Sequence, residues 1–256
     1  MTAPRKGAAR RADIPPDVLA QLNAGTIAAA NLAEGLAIDF AALLQAAVPD
    51  MPAGSVEIVR GMAGQGVTRR METVGALLLQ HLGLDGLPRV ATHPSDTVRG
   101  WACYVVGLAP KLKLKRRLEL IRPLADDSHF GVREWAWMPL RPHLAMNVSH
   151  AVEALLPWTA EASPNLRRFA VEATRPRGVW ASHIEQLKQN PALARPLLDP
   201  LKADPAKYVQ DSVGNWLNDA AKSRPEWVRQ VCDEWRAGSN DPVTLRICQR
   251  GLRSVK

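Results

Sequence analysis

The fold is decided by the stretch Asn165-Leu-Arg-Arg-Phe-Ala-Val-Glu-Ala-Thr-Arg-Pro-Arg-Gly-Val-Trp180. Its first half is rich in helix-forming residues, and Arg168 and Glu172 stand four apart, which places them on one face of a helix. Pro176 has no amide proton and disfavours helical backbone at the residue before it, so we expect the helix to end there. The spacing alone favours a surface ion pair on a helix that stops at a proline.

The beginning of this stretch recurs along the chain. Most copies have a capping Ser or Asp, often a Pro at the first helical position, then an aliphatic residue and usually an Arg. The aliphatic anchors are separated by 31, 34, 34, 43 and 36 residues, and they are Val67, Val98, Val132, Leu166, Val209 and Leu245. One helix of each repeat cannot bury its apolar face alone, so neighbouring repeats must stack. The pattern predicts an all-α solenoid of about six HEAT-like repeats with a concave basic groove.

Between the anchors we expect partner helices, for instance at residues 113–124 and 149–158. Nearer the start, residues 28–47 read as one apolar helix closed by Pro49. Residues 13–256 are predicted to form a single domain. Residues 1–12 are predicted to be a disordered basic tail, because the first eleven carry Arg5, Lys6, Arg10 and Arg11 and no acid.

The composition is consistent with a helical protein that binds a polyanion. Hydrophobic residues make up 46% of the 256 residues, yet aromatic residues make up only 5%, and eight of those thirteen are Trp. The formal net charge is +8, and the sequence pI is about 9.8, which suits a polyanionic partner. No signal peptide or membrane-length apolar run is visible. These features predict a cytoplasmic protein.

The cysteines and histidines carry no sign of a metal site. Cys103, Cys232 and Cys248 cannot all pair with one another, and neither they nor the six histidines show metal-ligand spacing. We interpret the cysteines as reduced core residues and expect neither a metal nor another cofactor.

Arginines recur at related repeat positions, and two interpretations stay open for them. In HEAT repeats the motif Arg and Asp commonly pair to fix neighbouring repeats, whereas the excess of arginine over acid favours a groove for phosphates. The arginines concerned are Arg69, Arg70, Arg99, Arg133, Arg167, Arg168 and Arg246.

Three acids in the same repeat helices need an explanation. Glu134, Glu172 and Asp219 would repel phosphates if they lined a groove meant for DNA. They are easier to understand if the substrate carries positive charge at that point. Ordinary ion pairs on a helix surface remain the alternative.

Two longer motifs match a family. One is the stretch from Arg167 to Trp180 quoted above, and the other reads Tyr208-Val-Gln-Asp-Ser-Val-Gly-Asn-Trp-Leu-Asn-Asp219. Both resemble signatures of the bacterial DNA alkylation repair glycosylases of HEAT-like fold. The resemblance is to the AlkC branch in particular, with AlkD a more distant relative, and without the immunoglobulin-like module that some members append. The chain departs from the signatures at Ala173, at Gly178-Val179 and at Gln210.

This resemblance implies hydrolysis of the N-glycosidic bond of small cationic bases, such as 3-methyladenine and 3-methylcytosine, in double-stranded DNA. It implies a monomer that works without flipping the base. Glu172 would stabilise the sugar cation or orient water, with Asp219 and Glu134 as the other catalytic acids. Arg168 would hold a phosphate or orient Glu172, and Trp180 would contact the lesion or sugar. The remaining positions assigned to DNA or lesion binding are Arg175, Arg177, Arg133 and Arg99.

Two other functions fit the sequence. One is a DNA-binding HEAT-repeat protein that lacks glycosylase activity. The other is a protein–protein scaffold, which is the commonest use of α-solenoids. The three acids argue against the first, and the basic charge with several tryptophans in the repeat helices argues against the second.

Overall fold

The computed structural model describes residues 5–255, and the regular elements among them are all helical. The α-helices in chain order are α1 Pro16–Asn23, α2 Leu32–Ala37, α3 Phe40–Ala47, α4 Ala53–Gly61, α5 Val67–Leu82, α6 Leu87–Ala91, α7 Asp96–Leu108, α8 Leu114–Ala125, α9 Phe130–Trp137, α10 Arg141–Ala145, α11 Val148–Leu155, α12 Pro164–Glu172, α13 Glu185–Gln189, α14 Arg195–Leu198, α15 Lys207–Ala221, α16 Pro225–Ala237 and α17 Pro242–Leu252. Short 3-10 helices lie at Arg11–Asp13, Leu156–Ala160, Pro191–Ala194 and Asp199–Leu201. The predicted all-α class is confirmed.

The chain forms two compact units. The N-terminal unit contains residues up to 112 together with 127–139, and the C-terminal unit contains residues 113–126 and those from 140 onward. In the first unit the fully buried Trp101 packs edge-on against Phe40, with ring centroids 5.6 Å apart. In the second, Trp158 and Phe169 pack at 4.9 Å. Between residues 5 and 255 no helix has both the length and the apolar character needed to cross a membrane.

All six aliphatic anchors lie near the start of a helix, in α5, α7, α9, α12, α15 and α17. The four inner anchors are buried, whereas Val67 is half-buried and Leu245 is exposed. Terminal repeats of such proteins are commonly atypical because they have a neighbour on one side only. The predicted caps are present at two of these helices, where Ser163 accepts from Asn165 N and Asp241 accepts from Val243 N.

The predicted single helix at residues 28–47 is wrong. The chain forms α2 and α3 there, with a break at residues 38 and 39. Asn31 accepts from the backbone N of Glu34 at 3.1 Å, and Asp39 accepts from Ala41 N and Ala42 N at 2.9 and 3.1 Å. Each side chain satisfies amide groups that the first turn of a helix leaves unpaired. Two N-caps inside an apolar stretch therefore split it into two helices.

The partner helices and the cysteines agree with the sequence. The helix predicted at 113–124 is α8, and the one predicted at 149–158 is α11, which ends at Leu155 and continues as a 3-10 turn. All three cysteines are free and buried, so their interpretation as core residues is confirmed. Of the predicted basic tail, residues 1–4 lie outside the described residues. Arg5 contacts both carboxylate oxygens of Glu34 at 2.6 Å.

Three repeat arginines share one role in the turns before their helices. Each donates through Nη1 to the two backbone carbonyls five and six residues before it, at 2.6–2.9 Å. We call them the turn arginines, and they are Arg99, Arg133 and Arg167. Arg99 also contacts Asp127 at 2.7 Å, and Arg167 contacts Asp204 at 2.6 Å. This geometry favours the pairing interpretation for Arg99 and Arg167.

Candidate active site

Glu172 is the last residue of α12, which therefore ends three residues before the expected end at Arg175. Glu172 is not part of a surface ion pair. Its side chain is only 3% exposed, so the interpretation as a surface pair is wrong. Ser212 Oγ donates to Oε1 at 2.8 Å, and Arg175 Nη1 donates to Oε2 at 3.1 Å. Arg168 Nη2 lies 3.5 Å from Oε1. The carboxylate is thus held on both oxygens, as a buried charge must be.

Asp219 lies on α15 and is also buried, with 4% of the residue exposed. Arg175 Nε donates to its Oδ2 at 2.8 Å, and Nη2 lies 2.8 Å from the same oxygen. Lys222 Nζ lies 3.5 Å from Oδ1. One guanidinium therefore joins two acids that are 47 residues apart in the sequence, and we call Glu172 and Asp219 the carboxylate pair.

Arg175 is the residue that makes this arrangement stable. Burial by itself lowers the pKa of its guanidinium, but the nearby Glu172 and Asp219 carboxylates outweigh burial and raise that pKa above its ordinary value. Arg168 and Lys222 lie 3.5 Å from Glu172 and Asp219, respectively, so Arg175 is the nearest of three cations around the two carboxylates. A buried, fixed negative group of this kind acts strongly on charge that develops next to it.

Arg168 lies beside the pair and is held by an aromatic ring. Its guanidinium carbon is 4.3 Å from the centroid of Tyr208, and its side chain is 11% exposed. This cation–π contact fixes the side chain that reaches Glu172. The geometry favours orientation of Glu172 over contact with a phosphate, although either role stays a prediction.

Arg141, the first residue of α10, is a part of the site that the sequence analysis missed. The residue is 2% exposed, and it donates to the carbonyls of Ala173, Arg175 and Ser182 at 3.2, 2.9 and 2.8 Å. Burial, reinforced by the positive charge of Arg175, lowers the pKa of Arg141 to about 10, so it stays protonated at neutral pH. The only signal in the sequence is an arginine between apolar neighbours.

Trp180 lies five residues after Arg175 in the chain, and its side chain is exposed. Its relative exposure is 53%, so the alternative that it is a core residue is wrong. Its φ of +58° lies in the left-handed region, which is uncommon for a residue with a side chain. Val179 beside it is exposed as well. An aromatic side chain is therefore open to solvent five residues after Arg175, which bridges the carboxylate pair.

The other predicted site residues are placed as follows. Arg177, half-buried, donates through Nη2 to Ser223 Oγ at 2.7 Å in the C-terminal unit. Glu134 lies on α9 in the N-terminal unit, where its Oε2 accepts from Trp137 Nε1 at 3.2 Å. Arg99 and Arg133 belong to that unit too and serve as turn arginines. The structure thus brings together Glu172, Asp219, Arg168 and Arg175.

Comparison with known proteins points to one family. The family model described as "DNA alkylation repair enzyme" matches residues 132–246, a region that contains all three predicted acids. The uncharacterised protein YhaZ of Bacillus subtilis is 35% identical over 137 residues, which are 54% of this chain and 37% of that protein. The chain therefore spans little more than a third of the length of this relative.

Solved structures agree on the fold. The alkylpurine DNA glycosylase AlkC of Pseudomonas fluorescens, bound to DNA containing an abasic site analog, superposes with a TM-score of 0.67 and 26% identity. The match covers 84% of this chain and 60% of AlkC. AlkD2 of Streptococcus mutans matches with a TM-score of 0.61 and 20% identity, over 78% of this chain and 98% of AlkD2, which shows the fold alone.

Fold and sequence are thus similar to those of the helical-repeat DNA alkylation repair proteins. Residues 132–246 match the DNA alkylation repair enzyme family, which confirms the resemblance drawn from the two motifs.

Proposed function

We propose that this protein is a DNA glycosylase that removes small cationic alkylated bases from double-stranded DNA. The first candidate substrate is 3-methyladenine, and 3-methylcytosine is the second. The proposal includes a monomer that acts in the cytoplasm and does not flip the base. Support comes from the family match and from AlkC, whose DNA ligand carries an abasic site analog, because an abasic site is what base removal leaves behind.

The observation that carries the proposal is the buried carboxylate pair bridged by Arg175. In the proposed reaction the C1′–N bond breaks and both of its electrons go to the cationic base, which leaves as a neutral molecule. The sugar becomes an oxocarbenium-like cation, which a fixed carboxylate stabilises. Water then adds to C1′ and gives a proton to a carboxylate. Paired carboxylates serve the same purpose in glycoside hydrolysis.

Arg175 and Arg168 have supporting roles in this scheme. Arg175 holds both carboxylates in place before the substrate arrives, because it donates hydrogen bonds to Oε2 of Glu172 and to Oδ2 of Asp219. Arg168 orients Glu172 from the other side. The electrostatic stabilisation is then ready before the charge develops on the sugar, and little reorganisation is needed at that moment.

The direct test is base release from methylated duplex DNA, resolved by lesion. We expect free 3-methyladenine, and an abasic site that breaks on alkaline treatment. Duplex binding without release of any base would favour the DNA-binding protein without activity. Failure to bind DNA at all would favour the protein–protein scaffold.

Trp180 is expected to contact the lesion or the sugar through CH–π or cation–π packing. Trp180→Ala should slow base release by about tenfold, the scale of roughly 1–2 kcal/mol for such a contact. Binding to undamaged duplex should stay the same. Because Trp180 is exposed, the free energy of unfolding should change by less than about 0.5 kcal/mol.

Val179→Ala is the matched control, since Val179 is an equally exposed apolar residue on the same segment. It should leave the rate of release unchanged, and Trp180→Phe should retain most of the activity. A Trp180→Ala variant with the wild-type rate would remove Trp180 from the site.

The role of Arg168 can be read from the salt dependence of DNA binding. Duplex affinity should fall with salt by about 0.9 log units in K per log unit of salt for each phosphate contacted. If Arg168 orients Glu172, Arg168→Gln should leave this slope unchanged and slow base release. If Arg168 holds a phosphate, the slope should decrease by about 0.9. Affinity measured at four or five salt concentrations separates the two roles.

A further inference from the structure

The guanidinium of Arg141 lies inside a turn of the chain. It donates to the carbonyl of Ala173, which directly follows Glu172, and to the carbonyl of Arg175 itself. Its Nη2 and Nε also donate to the carbonyl of Ser182 at 2.8 and 3.3 Å. We call residues 173–182 the site segment. Its first and last residues and one residue between them therefore all accept hydrogen bonds from the Arg141 side chain.

The site segment also packs closely against this guanidinium at Gly178. A Cβ atom added to Gly178 would stand 3.0 Å from both Cζ and Nε of Arg141. That distance is shorter than ordinary van der Waals contact, so the backbone of the segment lies directly against the guanidinium. Only a residue without a side chain fits here without displacing Arg141.

The conformation of Trp180 shows that something must hold the segment. Its left-handed backbone is unfavourable for any residue with a Cβ atom, and such conformations persist only where the surroundings enforce them. The bonds from Arg141 lie on both sides of Trp180 in the sequence and supply this constraint. A flat group with several fixed donors can bind carbonyls in different directions, which a lysine ammonium cannot do with the same geometry.

We propose that Arg141 is a positioning residue for base excision. It fixes the site segment, so that Arg175 bridges the carboxylate pair and Trp180 stands where the substrate binds. This inference rests on the proposed function. Arg141 itself touches neither substrate nor reacting atoms, and it acts through the backbone that it binds.

The test combines single-turnover base release with ¹⁹F NMR of the full chain labelled with 5-fluorotryptophan. The resonance of Trp180 is assigned from its absence in Trp180→Phe. Arg141→Lys should shift or broaden that resonance. It should slow release of 3-methyladenine about tenfold or more, since a misplacement of ~1 Å can cost ~100-fold in rate. Binding to undamaged duplex should be unchanged.

Arg117→Lys is the matched control, because Arg117 on α8 is another buried arginine of the C-terminal unit. It should lower the melting temperature as Arg141→Lys does, while the Trp180 resonance and the rate per folded molecule stay at wild-type values. If Arg141→Lys does not fold, Gly178→Ala disturbs the same contact from the other side and should change both readouts in the same direction.

A folded Arg141→Lys with an unmoved Trp180 resonance and the wild-type rate would overturn the inference. A wild-type protein that releases no base would instead overturn the proposed function. The NMR measurement needs no substrate, so in that case a shifted Trp180 resonance would still support Arg141 as the residue that holds the segment. An unmoved resonance would overturn it.

Discussion

Replacing Glu172 with Gln is expected to slow single-turnover release of 3-methyladenine by about 100-fold or more, the scale seen when one electrostatic stabiliser is removed. The change keeps the shape of the side chain and deletes the charge that is proposed to stabilise the sugar cation. Binding to undamaged duplex should hold or tighten, because the change removes a negative charge from a protein that binds the negatively charged DNA backbone. Quenched single-turnover assays with enzyme in excess measure this rate directly.

The control for this change is Glu226→Gln. Glu226 forms an ion pair with Arg229 three residues away, as Glu172 does with Arg175, but it is exposed. The control should leave both rate and stability near wild type. Because Glu172 is buried, its variant should also lose about 1–3 kcal/mol of stability, so rates are compared per folded molecule well below the melting temperature. Release at the wild-type rate would refute the catalytic assignment of Glu172.

Asp219 provides an internal check on the same hypothesis. Asp219→Asn should slow release in the same direction, and the double variant should be less than additive if both acids serve one transition state. Glu134→Gln, in the N-terminal unit, is expected to be milder. Full additivity of the Glu172 and Asp219 changes would indicate that the two acids act independently.

Arg175→Met is expected to have the largest effect on stability. The variant removes the guanidinium that contacts both buried carboxylates, and breaking a buried pair from one side costs about 3–5 kcal/mol. Methionine fills much of the volume, so the loss reports charge rather than a cavity. Chemical denaturation followed by circular dichroism measures the change in the free energy of unfolding.

Arg229→Met is its matched control. Arg229 pairs with Glu226 across one helical turn on the surface, and its loss should cost less than about 1 kcal/mol. An Arg175→Met variant as stable as this control would mean that the carboxylate pair does not depend on Arg175. The proposed preorganisation of the site would then fail.

Local signals in the sequence were enough for much of the fold. Pro176, whose missing amide and steric demands stop a helix, predicts the end of α12 to within three residues, since α12 ends at Glu172. The six anchors predicted the repeat helices, because an aliphatic residue after a capping residue marks the start of an amphipathic helix. The break between α2 and α3 was also within reach, since Asn31 and Asp39 are favoured N-caps, but the continuous apolar pattern concealed them.

The candidate site could be predicted only in part, because its contacts connect distant positions. Glu172 and Asp219 were found by their motifs, but no periodicity indicates that Arg175 contacts Asp219 from 44 residues away. Their burial is likewise a property of the packed helices and not of α12 alone. Arg141 binds carbonyls 32 to 41 residues further along the chain. Every residue has a backbone carbonyl, so the sequence does not indicate which ones accept from Arg141.

The ion pairs of the turn arginines should respond to salt differently from the contacts that exposed basic residues make with a polyanion. Arg99 with Asp127 and Arg167 with Asp204 are largely shielded from solvent, and dissolved ions screen such pairs weakly. Contacts between exposed lysines or arginines and a polyanion are screened strongly. Moderate salt should therefore release bound nucleic acid while the helices stay packed, so a wash at moderate salt can purify the protein in the folded state.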